Sequence, residues 1–275
     1  MRSSYPLRPM HSHSTAHSKK QRGVALFVVL IFILLSMLLA LWAARTALFS
    51  EIVVGNDADY QRAFESAQAL LQDAELDIRG ERSDGSFCQK SDDDSQDVCR
   101  SGIGYQIPLE SQDVGLLVAN LNNATARCIK GLCAKRLGRQ DFWNYDSAHT
   151  PTPAAADYEK GIDELSIPYY GARHGQFTGA IATQNNILAI QNVDSEATTA
   201  DDNQKKGGWY WIEVLPYDDS SEFSNVVEAS VENNSKLPLN LSPAVVYRIT
   251  AVAYGLKPGS KVVLQETYAR TTLKD

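Results

Sequence analysis

From Val24 to Ala44 no position is charged, and Ser36 is the one polar side chain in the run. At about 1.5 Å of helix rise per residue this stretch spans roughly 30 Å, the thickness of a bilayer's hydrocarbon core. Beyond Arg45 apolar residues return at helical spacing, at Leu48, Ile52, Phe64, Ala67, Leu71, Ala74 and Ile78. Glu51, Asp59, Arg62, Glu65, Asp73 and Glu75 fall on the other faces. The pattern predicts one helix, apolar all round over 24–44 and amphipathic over 45–80. Gly55-Asn56 is expected to loosen or break it, and Gly80 to stop it.

After Gly80 the chain becomes polar and rich in Gly and Asp, and the apolar spacing shortens. Ile103–Leu109 and Ile187–Ile190 read as short strands. Trp209–Leu215 is β-branched and aromatic between Gly208 and Pro216, a stronger strand signal. Val245–Tyr254 and Lys261–Arg270 flank Gly255–Gly259 and read as a hairpin. In its second strand Val262, Leu264, Glu266 and Tyr268 share one face, and Val263, Gln265, Thr267 and Ala269 the other. The expected architecture is α+β, an antiparallel sheet packed on the amphipathic half of the helix. Ala148–Tyr158 and Asn192–Gly208 read as long loops and candidate partner surfaces.

Charge sets the orientation of the apolar run. Arg2, Arg8, Lys19, Lys20 and Arg22 precede it with no acid among them, which favours a cytoplasmic N-terminus and an exported C-terminus. A secretory signal would have a shorter apolar core of about 7–15 residues, with Ala40, Ala43, Ala44 and Ala47 offering cleavage sites. An uncut signal anchor is a second reading. A third is a type IV prepilin leader, which is basic and ends in Gly where the apolar run begins. Lys19-Lys20-Gln21-Arg22-Gly23 before Val24-Ala25-Leu26 fits it.

The stretch Gln21–Leu30, with Arg45-Thr46, Glu51, Gly55-Asn56, Ala63–Gln68 and Asp73-Ala74-Glu75, resembles the N-terminal region of PilX-type minor pilins. Tyr247–Ala251, Tyr254-Gly255 and Val262–Tyr268 resemble that family's closing strands, and Cys128–Cys133 its short cysteine hairpin. The resemblance implies a type IV pilin-like fold and cleavage by prepilin peptidase after Gly23, with methylation of Val24. The chain would then comprise a leader (1–23), a membrane segment (24–44), an amphipathic half-helix (45–80) and an exported β-rich domain (81–275). It would wait in the inner membrane and move to the pilus tip at the cell surface, its partners being the major pilin, other minor pilins and a large tip adhesin. Most pilins carry Glu at the fifth mature position, where this chain has Val28. A carboxylate inside a membrane costs about 3 kcal/mol and is kept only for a function. Its absence resembles the K-type minor pseudopilins of type II secretion, the alternative reading, and suits a subunit that enters first.

Composition narrows the rest. The chain has 275 residues and a net charge of −7. Five of its 26 basic residues and none of its acids precede the apolar run, so the body is more acidic still and offers no footprint for nucleic acid. Four cysteines, Cys88, Cys99, Cys128 and Cys133, all follow the apolar run. In an exported domain they read as two disulfides, with three pairings open. The local pairs are favoured, Cys128 with Cys133 across a turn at Lys130-Gly131 and Cys88 with Cys99 around an acidic loop. Within that loop Asp92 and Asp94 alternate as calcium ligands do, but an EF-hand would need Gly at Asp97 and Glu at Ile103. They remain a weak calcium candidate. No other metal and no cofactor is expected. Phosphate-binding and nucleophile motifs are absent, and His149 and His174 belong to no catalytic pattern. A structural assembly subunit is therefore expected rather than an enzyme. A signal-anchored periplasmic binding or sensory domain is the reading from another class.

Overall fold

The computed structural model describes residues 22–88, 98–100, 105–136, 140–144, 161–183, 186–189, 207–216, 243 and 245–270. The chain divides into two compact units, residues 1–54 and 55–275. Helix α1 (Arg22–Arg79) is unbroken, Gly55-Asn56 included. One glycine costs a helix only about 1 kcal/mol. Moreover, the Asn56 amide oxygen accepts a 2.8 Å hydrogen bond from Lys257 Nζ, which ties this turn to the domain. The helix ends at Gly80, whose φ of +70° is the left-handed conformation favoured at a C-terminal cap. In the first unit every side chain from Val24 to Val54 is exposed, and α1 is long and apolar enough to cross a membrane.

The second unit is built on a five-stranded sheet with order β1-β2-β3-β4-β5. Its strands are β1 (Cys128–Ile129), β2 (Leu132–Ala134), β3 (Gly208–Pro216), β4 (Val245–Tyr254) and β5 (Lys261–Tyr268). All neighbours are antiparallel except β2 and β3, which run parallel with Leu132 opposite Ile212. This is the α+β, pilin-like arrangement anticipated above. Gly255 N–H donates to the Ser260 carbonyl at 2.8 Å, so Ser260 belongs to the β4–β5 loop and the hairpin closes at Tyr254 opposite Lys261.

Both faces of the central strands are covered. On one face Tyr210, Ile212 and Val214 of β3 and Tyr247, Ile249 and Ala251 of β4 join Ala63, Ala67, Leu70, Ala74 and Ile78 of α1. Val262, Leu264 and Tyr268 of β5 lie on that face, as their alternation predicted. Helix α2 (Ser111–Asn123) adds Val114, Leu117 and Leu121. On the other face Trp209, Trp211 and Val252 pack with Phe142, Cys128, Cys133 and the short helix α3 (Ile162–Leu165). A sheet covered on both sides reads as nearly continuous apolar strands, and β3 is buried from Gly208 to Leu215.

Several expectations need correction. Tyr105–Leu109 contains no strand, and Ile103 lies outside the described residues. Ile187–Ala189 is a 3₁₀ turn with Ile187 and Leu188 buried, a packing role that a short apolar run shares with a strand. The apolar stripe of α1 is also rotated from the one expected. Ala63 and Leu70 are fully buried, whereas Phe64 and Leu71 flank the core. The expected loops at Ala148–Tyr158 and 192–206 fall outside the described residues.

Candidate functional site

Gly23 and Val24 lie in the first turns of α1, and Val28 follows one turn on, 42% exposed. The helix surface there is apolar in every direction, so it can be solvated by lipid or by other apolar helices. Ser36, Thr46 and Ser50 return their hydroxyls to main-chain carbonyls within the helix, Ser36 to Phe32 at 2.7 Å. No hydroxyl in the run is thus left unpaired in an apolar setting.

The domain is fastened to α1 through carboxylates on the buried face of the helix. Asp59, Asp73 and Asp77 are 1%, 2% and 4% exposed. Sequence patterning placed Asp59 and Asp73 on outer faces. At 100° per residue, however, positions 59, 73 and 77 share the arc of Ala63, Ala67, Leu70 and Ala74. Alanines let the sheet come close, and each Asp finds donors there. Asp59 accepts from Leu256 N–H at 2.9 Å and Lys257 N–H at 3.2 Å. Burial pushes its pKa up, but hydrogen bonds from Ser260, Leu256 and Lys257 and the Lys257 charge outweigh this and hold it below 3.8. Gly255 is needed beside it, since a Cβ there would lie 2.3 Å from Asp59 Oδ2.

Asp73 accepts from Gly175 N–H at 2.7 Å and from the Thr178 hydroxyl, yet burial keeps its pKa above the usual range. Asp77 is paired side-on with Arg100, Nε to Oδ1 at 2.8 Å and Nη2 to Oδ2 at 2.6 Å. The Tyr210 hydroxyl adds a donor at 3.0 Å. Burial, then the Asp77 and Asp73 charges, raise the Tyr210 pKa well above 10.0. Arg100 also donates from Nη1 to the Lys130 carbonyl at 2.8 Å, and its guanidinium lies 3.9 Å over the Phe177 ring. One arginine therefore joins α1, the β1–β2 turn and the 171–180 segment.

Two disulfides flank this junction. Cys88 is bonded to Cys99, immediately before Arg100, and Cys128 to Cys133, which face each other across β1 and β2. On the far side of the sheet Glu213 holds Arg248 at 2.5 Å and accepts from Arg136 N–H at 2.9 Å. Arg173 stacks 3.6 Å over Trp209, and burial lowers its pKa to about 10. Among the described residues no three His, Cys, Asp or Glu side chains gather into a metal-binding group. The calcium candidates Asp92 and Asp94 lie outside the described residues.

This frame, an apolar helix carrying a domain clamped to its second half, is matched by two family models. The PilX N-terminal model covers residues 22–72, and the model for the C-terminal region of the type IV pilus assembly protein PilX covers residues 129–270. The chain belongs to the PilX family. It is therefore a minor pilin of type IV pilus assembly, a structural family whose members act with other pilus components. No curated protein and no solved structure gives a significant match. The PilX N-terminal match contains Asp59 and ends just before Asp73, and the C-terminal match contains both loops that receive these carboxylates. As in a pilin, the apolar half of α1 is suited to membrane anchoring. Sequence reasoning overlooked the aspartates and Arg100. The available signal was that the spacing of the aspartates repeats that of the buried alanines.

Proposed function

We propose that this PilX-family subunit primes pilus assembly and sits at or near the tip, where it carries a large adhesin together with other minor pilins. In this reading residues 1–23 are a leader removed by prepilin peptidase in the inner membrane, and Val24 is the methylated N-terminus. Residues 24–44 then span the membrane, 45–80 form the spine and 81–275 the exported domain.

The observation that carries the tip assignment is Val28. It would be the fifth mature residue, where most pilins place the Glu assigned to neutralising a neighbouring subunit's N-terminal amine. A subunit that enters first meets no earlier amine, so a carboxylate there would be a buried charge without a partner, which bilayers and helix bundles both penalise. Mass spectrometry of the purified chain tests the processing: methylated Val24 is expected, and an intact leader or a terminus near Ala44 would refute it. Gold labelling of an epitope-tagged subunit tests the position. Label at fibre ends is expected, and label spread along shafts would reject the tip assignment. Deleting the gene should remove surface pili.

A further inference from the structure

A small cavity lies where the end of α1 meets the Cys88–Cys99 segment and the end of the sheet. Its volume is about 60 Å³, and its walls include Ile78, Ile107, Leu109 and Phe177 together with Asp77, Arg100 and Arg270. Asp77 and Arg100 neutralise each other through their paired contact. Arg270 Nη1 is buried and has no hydrogen-bond partner among the described residues. The Tyr247 hydroxyl, fully buried and likewise without a partner among the described residues, lies within the field of the Arg270 charge. Arg270 Nη1 thus offers a buried N–H with no acceptor among the described residues, and the acceptor that best suits a guanidinium is itself negative.

We infer that this cavity is a binding site for a single carboxylate on a short apolar stem, held by Arg270. A cavity needs about 10–15 Å³ to hold one water, so 60 Å³ has room for a carboxylate with a carbon or two. The aliphatic and aromatic walls suit a methyl or methylene stem, and the guanidinium fork suits the two oxygens. Such a carboxylate could be the side chain of an Asp or Glu on a neighbouring pilus component, or a free small carboxylate. The chemistry of the site is the same for both.

The test uses the full chain in detergent micelles and ¹³C-acetate, with chloride holding ionic strength constant. Acetate should broaden saturably with the native protein. Arg270→Gln should weaken binding by about tenfold or more, while Arg62→Gln, on the exposed face of α1, should leave it unchanged. Arg270→Lys should bind with intermediate affinity. Acetate should raise the melting temperature of the native chain and not that of Arg270→Gln, which without acetate should melt no lower than native because a buried donor without an acceptor has been removed. No saturable binding, native-like binding by Arg270→Gln, or a folding defect in that variant would overturn the inference. If Arg270→Gln loses acetate binding and also drops out of sheared pili, the carboxylate belongs to a neighbouring component. If it enters pili normally, the ligand is a free anion.

Discussion

Arg100 and Asp77 form an ion pair whose side chains are 6% and 2% exposed. Breaking such a pair from one side strands a buried charge, at a cost of about 3–5 kcal/mol. Arg100→Ala should therefore lower unfolding stability by about that amount, read by denaturant titration of the buried Trp209 and Trp211 fluorescence. A loss well under 1 kcal/mol would mean that water reaches Asp77 and that the pair is ordinary surface electrostatics. Glu266 on β5 behaves oppositely. Burial, then the Glu75 charge and a hydrogen bond with Glu75 on α1, raise its pKa above 4.5. The folded state thus binds this proton more tightly than the unfolded state does. The associated stability is present below pH 4.5 and is lost as pH rises through the folded pKa. Glu266→Gln should match the native chain at acid pH and exceed it at pH 7, and parallel pH profiles from thermal melts would refute this. These residues were the least legible from sequence. Asp59, Asp73 and Asp77 look like solvated charges on an amphipathic helix. Their donors come from residues 100, 175–178, 210 and 255–260, which no local pattern brings beside them.

Legibility was greater for elements, and uneven. β3, β4 and β5 fall where β-branched and aromatic runs between turn residues place them, because their length and composition leave no helical alternative. α2 went unread although Val114, Leu117, Val118 and Leu121 repeat at helical spacing. Gly115 and Asn-rich flanks weaken the propensity, and burial against β2 and β3 supplies what propensity lacks. β1 and β2 are only two and three residues long. The parallel β2–β3 pairing is fixed by contacts across the intervening chain, which no local periodicity encodes. The disulfides are local staples and do not span that connection. Cys88–Cys99 has a sequence separation of 11, against 5 for Cys128–Cys133. On loop-closure entropy the former is worth about 3 kcal/mol and the latter nearer 2. Replacing Cys88 and Cys99 together with Ser should thus cost about 3 kcal/mol and release the segment that carries Arg100. Replacing Cys128 and Cys133 should cost less unfolding free energy, and the reverse order would show that the β1–β2 hairpin governs the fold.

At the scale of the whole molecule one chain carries two incompatible solvents' worth of surface. Val24–Ala44 exposes Leu, Ile, Phe and Val in every direction. On insertion scales each such residue near a helix centre favours the bilayer by roughly 0.3–0.6 kcal/mol, so the run as a whole favours it by several kcal/mol. The unit from Gly55 onward buries its apolar residues in a sheet covered on both faces. Among the described residues, every α1 residue in the two core clusters is Ala63 or later. The full chain should therefore resist alkaline extraction from membranes and need detergent for solubility. Residues 55–275, exported to an oxidising compartment so that both disulfides form, should be soluble and unfold cooperatively with the blue-shifted emission of buried tryptophans. Fractionation and a thermal melt of the two forms check this directly. If the full chain washed free of membranes, the apolar run would have to be covered by protein rather than lipid. If the shorter form failed to fold, α1 before Gly55 would belong to the domain's core. In the proposed role the subunit leaves the bilayer for a fibre without unfolding, and that exchange calls for a domain whose stability owes nothing to the helix segment that changes solvent.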